Sequence, residues 1–364
     1  MILPRYFARR FAWTFAATFS SFFILMILID LVEQLRRFGE TAGFWQLLQL
    51  SLLNLPSGIY GILPLITALA TLAMFLGLSR SSELVVTRAA GRSALRALLA
   101  PLFVTLIIGA ITIGVFNPLV AATSKEFEAR ETALRSGESS ILSISENGLW
   151  LRQGNDTTQT VIRAAGTNLD GTELQNVTFL TFIPETGPTR RIEAASAVLS
   201  TGAWELTDAK AWPLGDDRVA EQWATTHATL RIPSTLTADQ IRDSFGVPSS
   251  IPIWDLPAFI SRLEVAGFSA TRHQVWLQME LALPAFLISM VLIGACFTMR
   301  HQRGGRTGVM VLAAILICFA LFFLRNFAQI LGENGQIPAV LAAWAPPIAA
   351  IAASLGFLLH LEDG

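Results

Sequence analysis

The sequence predicts an α-helical membrane bundle of six transmembrane helices interrupted by one β-rich domain. Charged residues make up 15% of the 364 and hydrophobic ones 52%, with a mean hydropathy of +0.53, whereas a soluble domain carries about 25% charge. The apolar residues gather in six charge-free blocks, each near or beyond the ~20 residues needed to cross a bilayer. The blocks fall as three, then a polar stretch, then three more.

The blocks are 11–29, 47–79, 97–124, 281–299, 307–324 and 336–361, and His360 is the one residue of the types Asp, Glu, Lys, Arg or His within them. Arg5, Arg9 and Arg10 precede the first block, which is longer than a signal-peptide core and is followed by Asp30, Glu33 and Arg36 rather than a small-residue cleavage site. An uncleaved first span is expected.

Arginine placement sets the orientation, because cytoplasmic loops collect Arg and Lys. Arg5, Arg9 and Arg10 lie before span one. Arg80, Arg88, Arg92 and Arg96 lie between spans two and three, and Arg300, Arg303 and Arg306 between spans four and five. All three clusters fall on one side if both termini are cytoplasmic, which puts 125–280 outside; Arg36 and Arg37 are the outward exceptions. The expected organisation is spans one to three in 1–124, with a cytoplasmic surface helix at 81–90, and a β domain at 125–250. An amphipathic connector at 251–280 follows, and then spans four to six at 281–364.

Within the insert, β-branched and aromatic runs predict short strands at 150–151, 160–162, 177–183, 192–199, 203–207 and 225–232. Turn signals such as Asp170-Gly171 and Thr201-Gly202 separate them. Phe179 to Phe182 puts apolar residues on both faces, either a strand meeting an apolar ligand or one covered by core on both sides. Leu256, Phe259, Ile260 and Leu263 recur at helical spacing, which predicts the connector helix. Prolines at 56, 64, 101, 118, 284, 346 and 347 fall in the spans and are expected to bend some of them.

The chemistry of an enzyme is missing from the motifs. No G-x-x-x-x-G-K-[ST] loop occurs, and the lysines are Lys125 and Lys210, both in the insert, so nucleotide hydrolysis is assigned to another chain. The histidines are scattered without metal-ligand spacing, and no cofactor is expected on this chain. Cys296 and Cys318 lie in apolar blocks, where cysteine acts as a small hydrophobe.

Two short segments carry the functional signal. In Arg80-Ser-Ser-Glu-Leu-Val-Val-Thr-Arg88-Ala-Ala-Gly91, Ser81 can cap a surface helix that Gly91 can end. Leu84 and Val85 give it an apolar edge, and Glu83 either plugs a partner's cleft or simply favours the helix dipole. In Asp30-Leu-Val-Glu33-Gln-Leu-Arg36-Arg37, the two arginines suit paired recognition of phosphate. Alternatively they pair with Glu33 and finish the helix.

On these residues the chain resembles the lipopolysaccharide-export permease family. The shared features are the three-insert-three layout, the Ser82–Val86 loop with its Ala-x-Gly, the Glu-Gln-Leu-Arg-Arg end of span one, and Gly267-x-x-Ala270-x-Arg272-x-Gln274. The Ser82–Val86 stretch sides with the family's G branch over its F branch. The resemblance implies an ABC-transporter permease that draws lipopolysaccharide from the outer leaflet of the inner membrane. It implies an F-type permease partner, a cytoplasmic ATPase homodimer that binds the ATP, a bitopic C-type subunit and a periplasmic A-type bridge. It makes the insert a periplasmic β-jellyroll. It places Glu83, Leu84, Val85 and Arg88 on the helix that couples to the ATPase, and Asp30, Glu33, Arg36 and Arg37 at the lipid cavity. Family members usually carry a basic residue near Asp30. Its absence implies a differently phosphorylated lipid A or acidic groups bridged by divalent ions. The competing readings are the F branch itself and a membrane scaffold that binds partners without transport.

Overall fold

The computed structural model describes residues 2–39, 41–83, 94–135, 142–145, 148–154, 158–167, 172–183, 187–214, 220–234, 236–237, 241, 248–265, 269–299 and 307–363. These form two compact units. One comprises Met1–Ser136, Pro248–Leu256 and Thr271–Gly364, and the other Gly137–Val247 with Pro257–Ala270.

The first unit is helical. Its first helices are α1 (Ile2–Phe38), α2 (Phe44–Arg80) and α3 (Ala94–Ile111), the last running through a π turn at Thr112–Phe116 into α4 (Asn117–Arg135). After the insert come α6 (Thr271–Leu281), α7 (Leu283–Thr298), α8 (Thr307–Glu333) and α9 (Ala339–Asp363). Five helices among the described residues are long and apolar enough to span a membrane, and α6 and α7, bent by 49°, make up a sixth if taken as one broken span. Arg10 and Glu33 are 23 positions apart (33 − 10) on α1. At 1.5 Å per residue that is about 35 Å, close to the ~30 Å hydrocarbon thickness, so the charged ends of α1 sit at the two interfaces.

The spans extend beyond the charge-free blocks. Span four begins at Thr271 rather than 281, and α8 continues past Arg325 to Glu333. A test for uninterrupted apolar sequence stops at the first charge, whereas a helix continues wherever that charge finds partners inside the protein. Likewise α4 carries the third span to Arg135, so 125–135 is helical and belongs with the bundle, not with the β domain. The Glu126 carboxylate accepts from Arg130 Nε at 2.7 Å one turn along this polar helix. The expected 251–280 connector is divided: α5 (Leu256–Val265) lies mostly in the second unit and α6 in the first.

α2 and α7 form the centre of the bundle, with Ile66, Phe75, Leu78, Leu287, Met290 and Val291 fully buried. They approach closely where Gly294 meets Thr71: a methyl on Gly294 would lie 2.9 Å from Thr71 Cγ2. Small residues permit such contact between membrane helices, where dispersion rather than the hydrophobic effect drives packing. Thr67, Thr71, Thr105 and Thr298 each donate to the carbonyl four residues earlier, so these hydroxyls are satisfied without water. α1 and α8 instead present open apolar faces, including Ile24, Leu28 and Val32 on α1 and Phe323 and Phe327 on α8.

Among the described residues, the second unit holds an antiparallel sheet of seven strands in chain order. Its strands are β1 (Leu142–Ser145), β2 (Gly148–Gly154), β3 (Gln159–Thr167), β4 (Glu173–Ile183), β5 (Gly187–Ser200), β6 (Ala203–Pro213) and β7 (Thr225–Pro233). Each predicted strand lies within one of these; β1 carried too little β-branched sequence to be read. A row of buried residues, Leu151, Ile162, Phe179, Ile192 and Ala211, crosses five strands in register.

The inward alternation then resets at one level of the sheet. Two outward residues follow in succession on β4 (Gln175, Asn176), β5 (Ala195, Ser196) and β6 (Thr207, Asp208), with Asn176 at φ 49° and Asp208 at φ 52°. Asn and Asp tolerate this left-handed conformation better than other side chains with a Cβ. The reset lets Leu174, Ala197 and Leu206 face inward beyond it. The sheet also curls onto itself. Gln153 of β2 donates to the carbonyl of Pro233 at the end of β7 and accepts from Trp204 Nε1 of β6 and from Ser234. Strands five places apart in the sheet therefore meet, and the apolar face is enclosed by its own sheet. Phe179 lies in that interior, edge-to-face with Trp204 at 6.3 Å, while Leu180 and Phe182 on the other face are half-buried.

Candidate functional site

The C-terminal end of α1 brings the expected residues together in part. Helical spacing places Glu33 beside both arginines. Its carboxylate accepts from Arg36 Nη2 at 3.0 Å and from Arg37 Nε at 2.6 Å. Arg37 also reaches across to Glu131 of α4 at 3.8 Å, tying the ends of spans one and three. The Arg36 side chain is 75% exposed and that of Arg37 46%. Exposed pairs of this kind contribute only about 0–1 kcal/mol. A phosphate offering bidentate, charge-assisted hydrogen bonds can therefore compete for the same guanidinium groups.

Asp30 does not join them. Its Oδ1 accepts from Asn54 Nδ2 of α2 at 2.6 Å, so this side chain faces the neighbouring span. Asp30 Oδ2, Gln34 Oε1 and Ser51 Oγ are buried and have no hydrogen-bond partner among the described residues.

At the other end of the membrane, the described part of the expected surface helix stops at Glu83; Leu84, Val85, Arg88 and Gly91 lie outside the described residues. Ser82 has a φ of 58°, which turns the chain after α2. Glu83 accepts from Tyr6 Oη of α1 at 2.7 Å and from Ser81 Oγ at 2.8 Å. The hydrogen bond from Tyr6, then that from Ser81 and the charge of Arg10, hold the Glu83 carboxyl below its ordinary range. The start of the loop is thereby fastened to the start of span one.

A third group was not found from the sequence. Glu280, near the end of α6, is 1% exposed and accepts a hydrogen bond from the Tyr60 hydroxyl of α2. Asn117, 3% exposed at the start of α4, donates to the Tyr60 oxygen at 3.5 Å and accepts from the Ile253 backbone N–H at 2.9 Å. Arg325 of α8 attracts Glu280 electrostatically, and its guanidinium sits 5.1 Å from the centre of the Phe286 ring. The available signal was that two charge-free blocks are bounded by single charges, Glu280 before 281 and Arg325 after 324. Each can lie inside a span if the other lies near it.

An apolar cavity of about 130 Å³ lies between α1, α2 and α8, lined by Phe22, Met26, Leu65, Leu69, Ile315 and Phe319 among others. Its lining is apolar throughout, so acyl chains could leave the bilayer for such a surface with little hydrophobic penalty.

Comparison with known proteins gives a consistent result. The family model "Lipopolysaccharide export system permease LptF/LptG" matches residues 5–360. The chain is similar to the lipopolysaccharide export system permease protein LptG of Haemophilus influenzae, with 26% identity over 358 residues covering 95% of each protein. It is also similar to the protein of that name from Escherichia coli K12, with 23% identity over 368 residues covering 99% of this chain and 98% of the other. The matched region takes in both triplets of spans, the β insert and both charged ends of α1, and on that evidence the chain belongs to the LptF/LptG family of lipopolysaccharide export permeases.

Proposed function

We propose that the chain is the G-type permease of an ABC transporter that takes lipopolysaccharide from the outer leaflet of the inner membrane and passes it into a periplasmic bridge. An F-type permease pairs with it, a cytoplasmic ATPase homodimer supplies the energy, and C-type and A-type proteins continue the path. Both termini are cytoplasmic and the β insert is periplasmic. The observation that carries this reading is the exposed Arg36 and Arg37 pair at the outer end of a helix with an open apolar face, paired among the described residues with Glu33 and Glu131. A phosphorylated lipid has the matching parts: anionic groups for the arginines and acyl chains for the apolar faces of α1 and α8.

The enclosed face of the sheet supports the onward path. Acyl chains carried through water would cost about 0.8 kcal/mol per exposed CH₂. A curled sheet with Leu151, Ile162, Phe179 and Ile192 on its inner face, closed in this structure, offers an apolar alternative once it opens. Transport needs the ATPase cycle to alternate between a state that holds lipid well and one that holds it poorly; tight binding in both would move nothing. Glu83 carries that alternation in this reading, which its hydrogen bond from Tyr6 of α1 supports.

The test is export by the assembled complex from vesicles containing lipopolysaccharide, with the Glu83→Ala variant beside it. ATP-dependent transfer of lipid to an added periplasmic acceptor is expected for the wild-type complex, with loss of transfer per ATP hydrolysed for the variant. Full transfer by the variant would remove Glu83 from the coupling path. No transfer by the wild-type complex would remove the export reading.

A further inference from the structure

Tyr60, Asn117 and Glu280 mark where the two irregular spans of the bundle meet. Asn117 is the first residue after the π turn of span three, and its N–H donates to the Thr112 carbonyl five residues back. Glu280 lies two residues before Ala282, where span four bends by 49°. The two spans touch close beside these irregularities: a methyl on Gly109 would lie 2.8 Å from Pro284 Cβ and 2.9 Å from its Cα. π turns and bends are points where a helix can change direction without losing a full set of hydrogen bonds.

A carboxyl group 1% exposed inside a membrane bundle is costly, and is retained where it has partners. Here the partners belong to other elements: Tyr60 to span two, Arg325 to span five, and Asn117 through Tyr60 to span three. Asn117 also faces the insert in the sequence sense. Its helix, α4, leads into the insert, and its Oδ1 holds Ile253, in the segment by which the chain returns. One side chain thus fastens the returning root to the helix that forms the departing root.

We propose that Tyr60, Asn117 and Glu280 form a pivot through which rearrangement of the spans reaches both roots of the β insert. The three act as positioning residues for the hand-over and not as lipid ligands. This rests on the transporter reading above, but not on the identity of the cargo.

Hydrogen exchange of segment 248–256 tests it, in the complex with its permease partner and ATPase, in nanodiscs without lipopolysaccharide. Exchange is compared between the nucleotide-free state and the state trapped with ATP and vanadate. In the wild-type complex the two states are expected to differ by about tenfold, the effect of making or losing one buried hydrogen bond. In Asn117→Ala the difference is expected to fall below about twofold, and Tyr60→Phe, which keeps the ring volume, should reduce it similarly. A merely structural role for Asn117 would raise exchange in both states alike and preserve their difference, which overturns the pivot. A wild-type complex with no difference overturns it as well. No lipopolysaccharide is added, so these results are separable from any failure of the lipopolysaccharide reading.

Discussion

The Tyr60 hydroxyl donates to the Glu280 carboxylate across 220 positions of sequence, joining span two to the broken span four. Neither residue belongs to a recognisable motif. Their position follows from burial: Tyr60 is 9% and Glu280 1% exposed, in a part of the chain where an unpaired acid would be strongly unfavourable.

Removing one member of such a group should therefore cost more than removing the charges together. Arg325→Leu takes away the positive charge that attracts Glu280 and is expected to lower the unfolding midpoint of the purified protein. The double variant Glu280→Leu with Arg325→Leu should recover most of that loss. Thermal unfolding in one detergent checks this. A double variant as unstable as the sum of the singles would mean that the two charges act independently.

Gly109 is expected to tolerate no side chain. Gly109→Ala places a methyl against the backbone of Pro284 at the start of α7, and overpacking of this kind costs about 1–3 kcal/mol. Gly58→Ala in α2 is the control, because a methyl there meets nothing within 4 Å. The second change is expected to be neutral or slightly stabilising, since alanine favours a helix over glycine. Equal unfolding midpoints for the two variants would contradict the close contact of spans three and four.

The Tyr6–Glu83 contact should depend on pH in one direction. The folded-state carboxyl lies below its ordinary value of 4.5, chiefly through the Tyr6 hydrogen bond. A depressed acid contributes its stability above the unfolded value, and the contribution disappears as pH falls through the folded value. Tyr6→Phe should therefore lower the unfolding midpoint at pH 7, and the difference from wild type should shrink below roughly pH 4. A difference that grew on acidification would show that the contact belongs to the protonated acid.

Orientation can be read with a single thiol. Cys296 and Cys318 are both buried, so a cysteine introduced by Thr201→Cys, in the exposed turn between β5 and β6, should report alone. It is expected to react with a membrane-impermeant reagent added outside spheroplasts. Reaction only in inverted vesicles would place the insert in the cytoplasm.

Much of the fold was legible because its causes are local. Bilayer-length apolar runs and β-branched strands, such as 177–183 within β4, announce themselves over a few residues. What was illegible depends on contacts between distant residues. Glu280 is interior because Tyr60, far away in sequence, donates a hydrogen bond to it. The curl of the sheet depends on Gln153 meeting Trp204 and Pro233, and the in-register reset at Asn176 and Asp208 arises from three strands at once. At the C-terminal end of α1, helical spacing disclosed the Glu33–Arg37 pair, whereas the turn of Asp30 toward Asn54 required the packing of α1 on α2.

The arginines test the central claim most directly. The measurement is ATP hydrolysis by the assembled complex in proteoliposomes, as the ratio of rates with and without lipopolysaccharide, for wild type and for Arg36→Glu with Arg37→Glu. Lipopolysaccharide is expected to raise the wild-type rate, and the charge-reversed variant should lose at least about tenfold in apparent lipid affinity, since each charge-assisted contact contributes about 1.5–3 kcal/mol. An unchanged lipid dependence in the variant would contradict the account, leaving Arg36 and Arg37 as no more than a self-paired end of span one.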